Sequence, residues 1–116
     1  MYVLVLEDDV LRSKFFKDKF CSHDLKITDN AFVATELLKE LKFDYIFIDN
    51  DLGEKNGEGV DVANFLYKNP NNLNNESILI IHSWNGPASK RIKSKVPSAI
   101  IAPFNTDIFY KLMLDI

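Results

Sequence analysis

The sequence predicts an α/β protein: a doubly wound sheet of five parallel strands with helices on both faces, three layers in all. Three observations predict it. Short apolar runs stand at Val3–Leu6, Leu25–Ile27, Tyr45–Ile48, Ser77–Ile81 and Ala99–Ile101, the first four ending in polar or acidic residues. Between them, apolar residues recur at helical spacing. The residues of chemical interest fall where strands end, the side on which open α/β sheets bind ligands.

The first strand delivers Glu7, Asp8 and Asp9 to its end. Leu11, Phe15, Phe16 and Phe20 then predict an amphipathic helix over 10–21. Leu25 and Ile27 mark a brief second strand, closed by Asp29-Asn30. Residues 30–42 place Ala31, Ala34, Leu37, Leu38 and Leu41 on one face, with Lys39 and Glu40 on the other. Tyr45–Ile48 is apolar throughout, as a strand buried on both faces should be, and runs into Asp49-Asn50-Asp51-Leu52-Gly53.

Residues 53–59 hold three of the four glycines and predict a mobile loop. Val60, Ala63, Phe65 and Leu66 predict a third helix that ends near Asn69-Pro70, and the polar tract 71–75 reads as surface loop. The fourth strand leads into His82-Ser83-Trp84-Asn85-Gly86-Pro87, where the proline suits the first turn of a helix carrying Lys90, Arg91, Lys93 and Lys95. The fifth strand precedes Ala102-Pro103-Phe104, and the last helix has Ile108, Phe109, Leu112 and Met113 as its buried stripe. Phe15, Phe16, Phe20, Phe32, Phe65 and Phe109 are all expected in the core.

At 116 residues the chain is long enough for one core, read as one domain over 1–116. An apolar fraction of 47% and a charged fraction of 27% are those of a soluble globular protein. A net charge of −3 argues against bulk nucleic-acid binding. The single Cys21 excludes an internal disulfide and fits a reducing compartment. With no apolar run of membrane-spanning length and no secretory signal pattern, a cytoplasmic location is expected. No heptad or large apolar stripe argues for a dimer.

Carboxylates at the end of a buried strand are costly to desolvate unless a cation or donors oppose them. In a doubly wound sheet the first and third strands are neighbours at the switch point, which brings Glu7 and Asp8 toward Asp49 and Asp51. Oxygen ligands with room for water suit Mg²⁺ or Mn²⁺, giving Glu7, Asp8 and Asp49 as candidate metal ligands. The alternative is that Asp8 or Asp9 only caps the helix beginning near Val10. His82 can act as acid or base near neutrality, or be a hydrogen-bonded core histidine. Ser83, Asn85, Gly86 and Arg91 are candidate anion-binding positions, because amides at a helix N-terminus and a nearby guanidinium can hold a phosphate. Trp84 either stacks on a base or covers its loop.

The layout resembles the receiver domain of two-component response regulators, a (βα)5 flavodoxin-like fold, over the whole chain. Glu7-Asp8 matches the receiver acid pair, Asp49 the phosphoacceptor, and Pro103-Phe104 the proline turn before the last helix. The receiver lysine before that proline is Ala102 here, and the switch Ser/Thr is His82, or Ser83 if shifted. The run Ile48-Asp49-Asn50-Asp51-Leu52-Gly53 together with His82-Ser83-Trp84-Asn85 more closely resembles the cyclic-phosphate-processing receiver family. That family carries Asp-His-Asp-Leu-Gly and His-Ser-x-Asn motifs. It occurs in bacteria and phages, and its proposed role is to process or recognise cyclic phosphates on nucleotides or RNA ends.

The resemblance implies Asp49, Asp51 and His82 as catalytic residues and Asn50, Ser83 and Asn85 as ligand-binding ones. It implies a possible metal-dependent cyclic phosphodiesterase acting on a cyclic nucleotide or an RNA 2′,3′-cyclic phosphate end. Asn50 stands where the family has histidine and cannot exchange a proton near neutral pH. The alternative is therefore a non-catalytic module that binds a nucleotide or a protein partner, and the third is a true phosphoacceptor.

Overall fold

The computed structural model describes all 116 residues. The strands are β1 (Tyr2–Leu6), β2 (Asp24–Thr28), β3 (Tyr45–Ile48), β4 (Ile78–Ile81) and β5 (Ile100–Ile101). They form one parallel sheet in the order β2-β1-β3-β4-β5. The helices are α1 (Val10–Lys19), α2 (Ala31–Glu40), α3 (Gly59–Lys68), α4 (Gly86–Lys95) and α5 (Asp107–Asp115). This is the predicted doubly wound (βα)5 fold. The boundaries of the strands and helices lie within two residues of the predicted ones.

Alternation along the strands builds a core on each face. Leu4, Leu6, Ile46, Ile48, Leu79 and Ile81 face α2, α3 and α4, meeting Ala34, Leu38, Val62, Ala63 and Ile92. Val3, Val5, Phe47 and Ile80 face α1 and α5, meeting Phe16, Phe20, Phe109 and Met113. Both side-chain sets along β1, β3 and β4 are therefore buried, which is why these strands read as continuous apolar runs. No helix is long and apolar enough to cross a membrane.

Several expected core residues lie outside. Leu11 in the first turn of α1, Phe32 in the first turn of α2 and Ile108 in the first turn of α5 are exposed. Phe15 and Phe65 are half-buried. The tract 71–75 is not all surface. Asn74 is buried and knits the segment together, accepting from the Phe43 amide and donating to the Leu38 and Leu41 carbonyls. A buried amide with its bonds made is stable where an apolar criterion predicts exposure.

The loop 53–59, expected to be mobile, is tied at several points. Asp51 and Glu58 form an antiparallel bridge, Asn56 donates to the Leu52 carbonyl, and the Asn56 carbonyl accepts from the Ala31 amide. Glu58 and Asp61 form a reciprocal capping box at the start of α3. Gly59 is required by close approach. A Cβ there would stand 2.5 Å from the Asp49 carbonyl oxygen and 2.6 Å from Ile48 Cγ2.

Candidate functional site

The neighbouring C-terminal ends of β1 and β3 open a cleft of about 530 Å³, lined by Glu7, Asp8, Asp9, Arg12, Asp49, Asp51, Trp84 and Asn85. That volume is in the roughly 300–1,000 Å³ range of small-molecule sites. A groove of about 570 Å³ at the opposite end of the sheet, lined among others by Leu38, Phe65 and Pro70, contains no carboxylate. The titratable chemistry is concentrated at the switch-point cleft.

Glu7, Asp8 and Asp49 each offer an oxygen within 4.8 Å of the others. Glu7 is the most constrained of the three. Its Oε2 accepts from the Asp8 and Asp9 amides at 3.0 Å each, and its Oε1 lies 2.8 Å from His82 Nε2 and 3.9 Å from an Arg12 nitrogen. Burial pushes its pKa up, but the His82 hydrogen bond and charge, the amide bonds and Arg12 outweigh that and hold it below the ordinary value. Glu7 is thus ionised, and Nε2 of His82 is the donor.

Asp49 has the opposite balance. Burial and the Glu7 charge raise its pKa to about 6, against relief from His82, the Asn50 amide and Ser83. Asp8 is raised as well, by burial first and the Glu7 charge second. Three carboxyls therefore crowd one point, with one held ionised and two resisting ionisation. Such a donor set of hard oxygens fits a divalent cation of the Mg²⁺ type. Asp9 takes the capping role, accepting from the Arg12 amide at 2.9 Å, so Asp8 is left facing the cleft.

Asp51 stands across the cleft, exposed, accepting from Asn85 Nδ2 at 3.2 Å and from Asn50 Nδ2 at 3.1 Å. Asn85 also caps α4, its Oδ1 accepting from the Ala88 amide at 3.1 Å. One side chain therefore links the start of α4 to the β3 carboxylate. Ser83 is buried beneath, its hydroxyl accepting from the Asn85 amide and so shaping the turn.

Four further expected positions are placed away from the ligand space. His82 is fully shielded, with Nδ1 unpartnered and its ring among Phe16, Phe47 and Phe104. Direct proton transfer between its ring and a ligand in the cleft is blocked by this packing. Asn50 is also buried, turned toward α3, where its Oδ1 accepts from the Val60 amide. Arg91 is exposed on α4 and does not line the cleft, and Gly86 opens α4 beside it without a close neighbour.

Arg12 is the cleft residue that the sequence reading missed. Its guanidinium lies 5.2 Å from the centre of the Phe104 ring as well as beside Glu7. The available signal was its place in the first turn of α1, directly after the acid cluster. On the β5 side, Ala102 is completely buried and brings no charge.

The profile of the cyclic-phosphate-processing receiver domain matches residues 3–98. The chain belongs to that family. Among solved structures it is similar to a Burkholderia pseudomallei response regulator with a phosphorylated aspartic acid, calcium ion and citrate. Identity there is 15% and the TM-score 0.73, over 96% of this chain and 64% of that one. The receiver domain of a Francisella response regulator gives 22% identity and a TM-score of 0.72, over 98% and 91% of the two chains. A CheY-like receiver from Methanospirillum hungatei gives 18% and 0.70, over 98% and 91%. These structures establish the receiver fold. No curated protein matches the sequence.

Proposed function

We propose that the cleft holds Mg²⁺ or Mn²⁺ on Glu7, Asp8 and Asp49 and recognises a cyclic phosphate, on a nucleotide or at an RNA 2′,3′ end. The observation that carries this reading is the convergence of the three carboxylates within 4.8 Å. Membership of a family named for cyclic-phosphate processing supports the choice of ligand. When bound, the cation would offset the carboxylate charge and polarise a phosphoryl oxygen. Asp49 gains most, because its own charge is the costliest to form there. Arg12 faces the remaining anionic oxygens, and Asn85 holds Asp51 in place.

Recognition ranks above turnover because neither His82 nor Asn50 presents a ring or amide to the cleft. Hydrolysis is the second reading. It is favoured by Asp49 and Asp51, cleft-facing oxygens able to take up a proton from an attacking water. The test is calorimetry with 2′,3′-cyclic nucleotides and a cyclic-ended oligonucleotide, with and without Mg²⁺ or Mn²⁺, followed by chromatography of the same samples. Metal-dependent binding that is lost in Asp49→Asn, with the ring intact, is the expected result. Ring-opened product would establish the second reading, and binding indifferent to metal would sink the cation role.

A further inference from the structure

We infer that Trp84 and Arg12 form a second subsite beside the carboxylates, in which Trp84 stacks on a nucleobase and Arg12 takes the phosphate. The ligand is then a base-bearing nucleotide rather than a phosphosugar or free phosphate. This rests on the phosphate reading of the cleft and adds the residue that would hold the base.

Trp84 is the sole tryptophan of the chain and is 62% exposed at the cleft rim. A tryptophan that served only to cover its loop would bury its ring. Here the polar edge is satisfied instead: Nε1–H donates to the Phe104 carbonyl at 2.8 Å. The hydrogen bond holds the indole while leaving ring surface to solvent. Fixing a ring in advance lowers the ordering cost of stacking. Every base offers a π-face to such a platform.

Arg12 rests on the same residue. Its guanidinium lies over the Phe104 ring, and that ring is itself packed 4.8 Å from Phe109 and 5.4 Å from Phe15, centre to centre. Phe104 therefore carries Trp84 on its carbonyl and Arg12 on its ring. Arg12 is the one basic residue among those lining the cleft, facing Glu7, Asp8, Asp9, Asp49 and Asp51. A guanidinium presents its donors in a planar fork matched to phosphate oxygens. Phosphate between the carboxylate-held cation and Arg12, with a base toward Trp84, uses the whole lining.

The experiment follows fluorescence of Trp84 in the full chain, with Mn²⁺ alone, adenosine 2′,3′-cyclic phosphate, its base-free methyl riboside analogue, and a trinucleotide with a 2′,3′-cyclic end. The expected result is further quenching, beyond that of Mn²⁺ alone, by the base-bearing ligands only. By calorimetry, Trp84→Ala should weaken those ligands at least about five-fold, the low end of a lost base stack. The same variant should leave Mn²⁺ and the base-free analogue unchanged, and Trp84→Phe should retain most of the affinity. Arg12→Gln should weaken both cyclic phosphates, base-bearing and base-free alike. Tighter binding of the trinucleotide identifies the RNA end as the source, and equal binding a free nucleotide. Base-free and base-bearing ligands binding alike, both with metal, would overturn the stacking subsite and leave the cation reading intact. Base-dependent quenching without any metal requirement would do the reverse.

Discussion

Nε2 of His82 lies 2.8 Å from Oε1 of Glu7, with both side chains shielded from solvent. The strand-four histidine therefore acts on the cleft through the first-strand acid, not by touching what enters it. Removing one member of a buried pair strands the other's charge, at a cost of about 3–5 kcal/mol. His82→Ala should destabilise the protein by that amount in urea denaturation, more than a cavity among Phe16, Phe47 and Phe104 alone would. His82→Gln, which keeps an amide donor, should recover part of it. A loss below about 1 kcal/mol in His82→Ala would mean that Glu7 does not depend on the pair. Because the Glu7 pKa is lowered from 4.5, its contribution is present above pH 4.5 and fades as pH falls through the lowered value.

Asp49 works against stability. Its pKa is raised from 3.8 to about 6, so the folded state binds the proton more tightly than the unfolded chain. Its contribution is most favourable below pH 3.8 and is lost as pH rises through about 6. A rise of that size corresponds to about 3 kcal/mol, reduced toward 1–2 kcal/mol by local relaxation. Asp49→Asn should therefore raise the metal-free Tm by about 4–8 °C at pH 7.5. The gain should shrink sharply by pH 4. An unchanged or lower Tm at pH 7.5 would contradict the crowding of charge around Asp49.

The fold was legible because both faces of the sheet are covered, which writes itself into the sequence as the unbroken apolar runs Tyr45–Ile48 and Ser77–Ile81. The carboxylates of the cleft were legible for a related reason, since strand order alone brings the end of β1 beside the end of β3. Side-chain direction was not. His82 and Asn50 sit at strand ends like Asp49, yet both are buried out of the cleft: the His82 ring lies among Phe16, Phe47 and Phe104, and Asn50 is held by the Val60 amide. Arg12 belongs to a helix, and only its contact with the ring of Phe104, far along the chain, reveals why its guanidinium stays there. The role of Asn74 depends on carbonyls more than thirty residues away, at Leu38 and Leu41, which no local pattern encodes.

Gly59 is the point where α3 touches the strand that carries Asp49. An added Cβ would stand 2.6 Å from Ile48 Cγ2 and 2.5 Å from the Asp49 carbonyl oxygen, a main-chain contact that no rotamer can relieve. Gly59→Ala should cost about 1–3 kcal/mol in chemical denaturation, as overpacking does. It should also weaken Mn²⁺ binding, because relief comes by displacing the Asp49 backbone. Wild-type stability in Gly59→Ala would show that α3 can shift freely at this contact.

Cation binding should be coupled to proton release from the cleft. Asp49 and Asp8 both have raised pKa values, so at pH 5 a cation competes with protons for their oxygens. At pH 8 the competition is gone while the repulsion among Glu7, Asp8 and Asp49 remains, and binding relieves it. Mg²⁺ or Mn²⁺ at a hundred times its dissociation constant should then stabilise the wild-type protein by about 2.7 kcal/mol. The dissociation constant, measured by calorimetry across pH, should fall steeply between pH 5 and 7 and flatten above. Asp49→Asn removes both the titrating group and a ligand, so it should bind more weakly and with a shallower pH dependence. A wild-type affinity flat from pH 5 to 8 would place the cation away from Asp49.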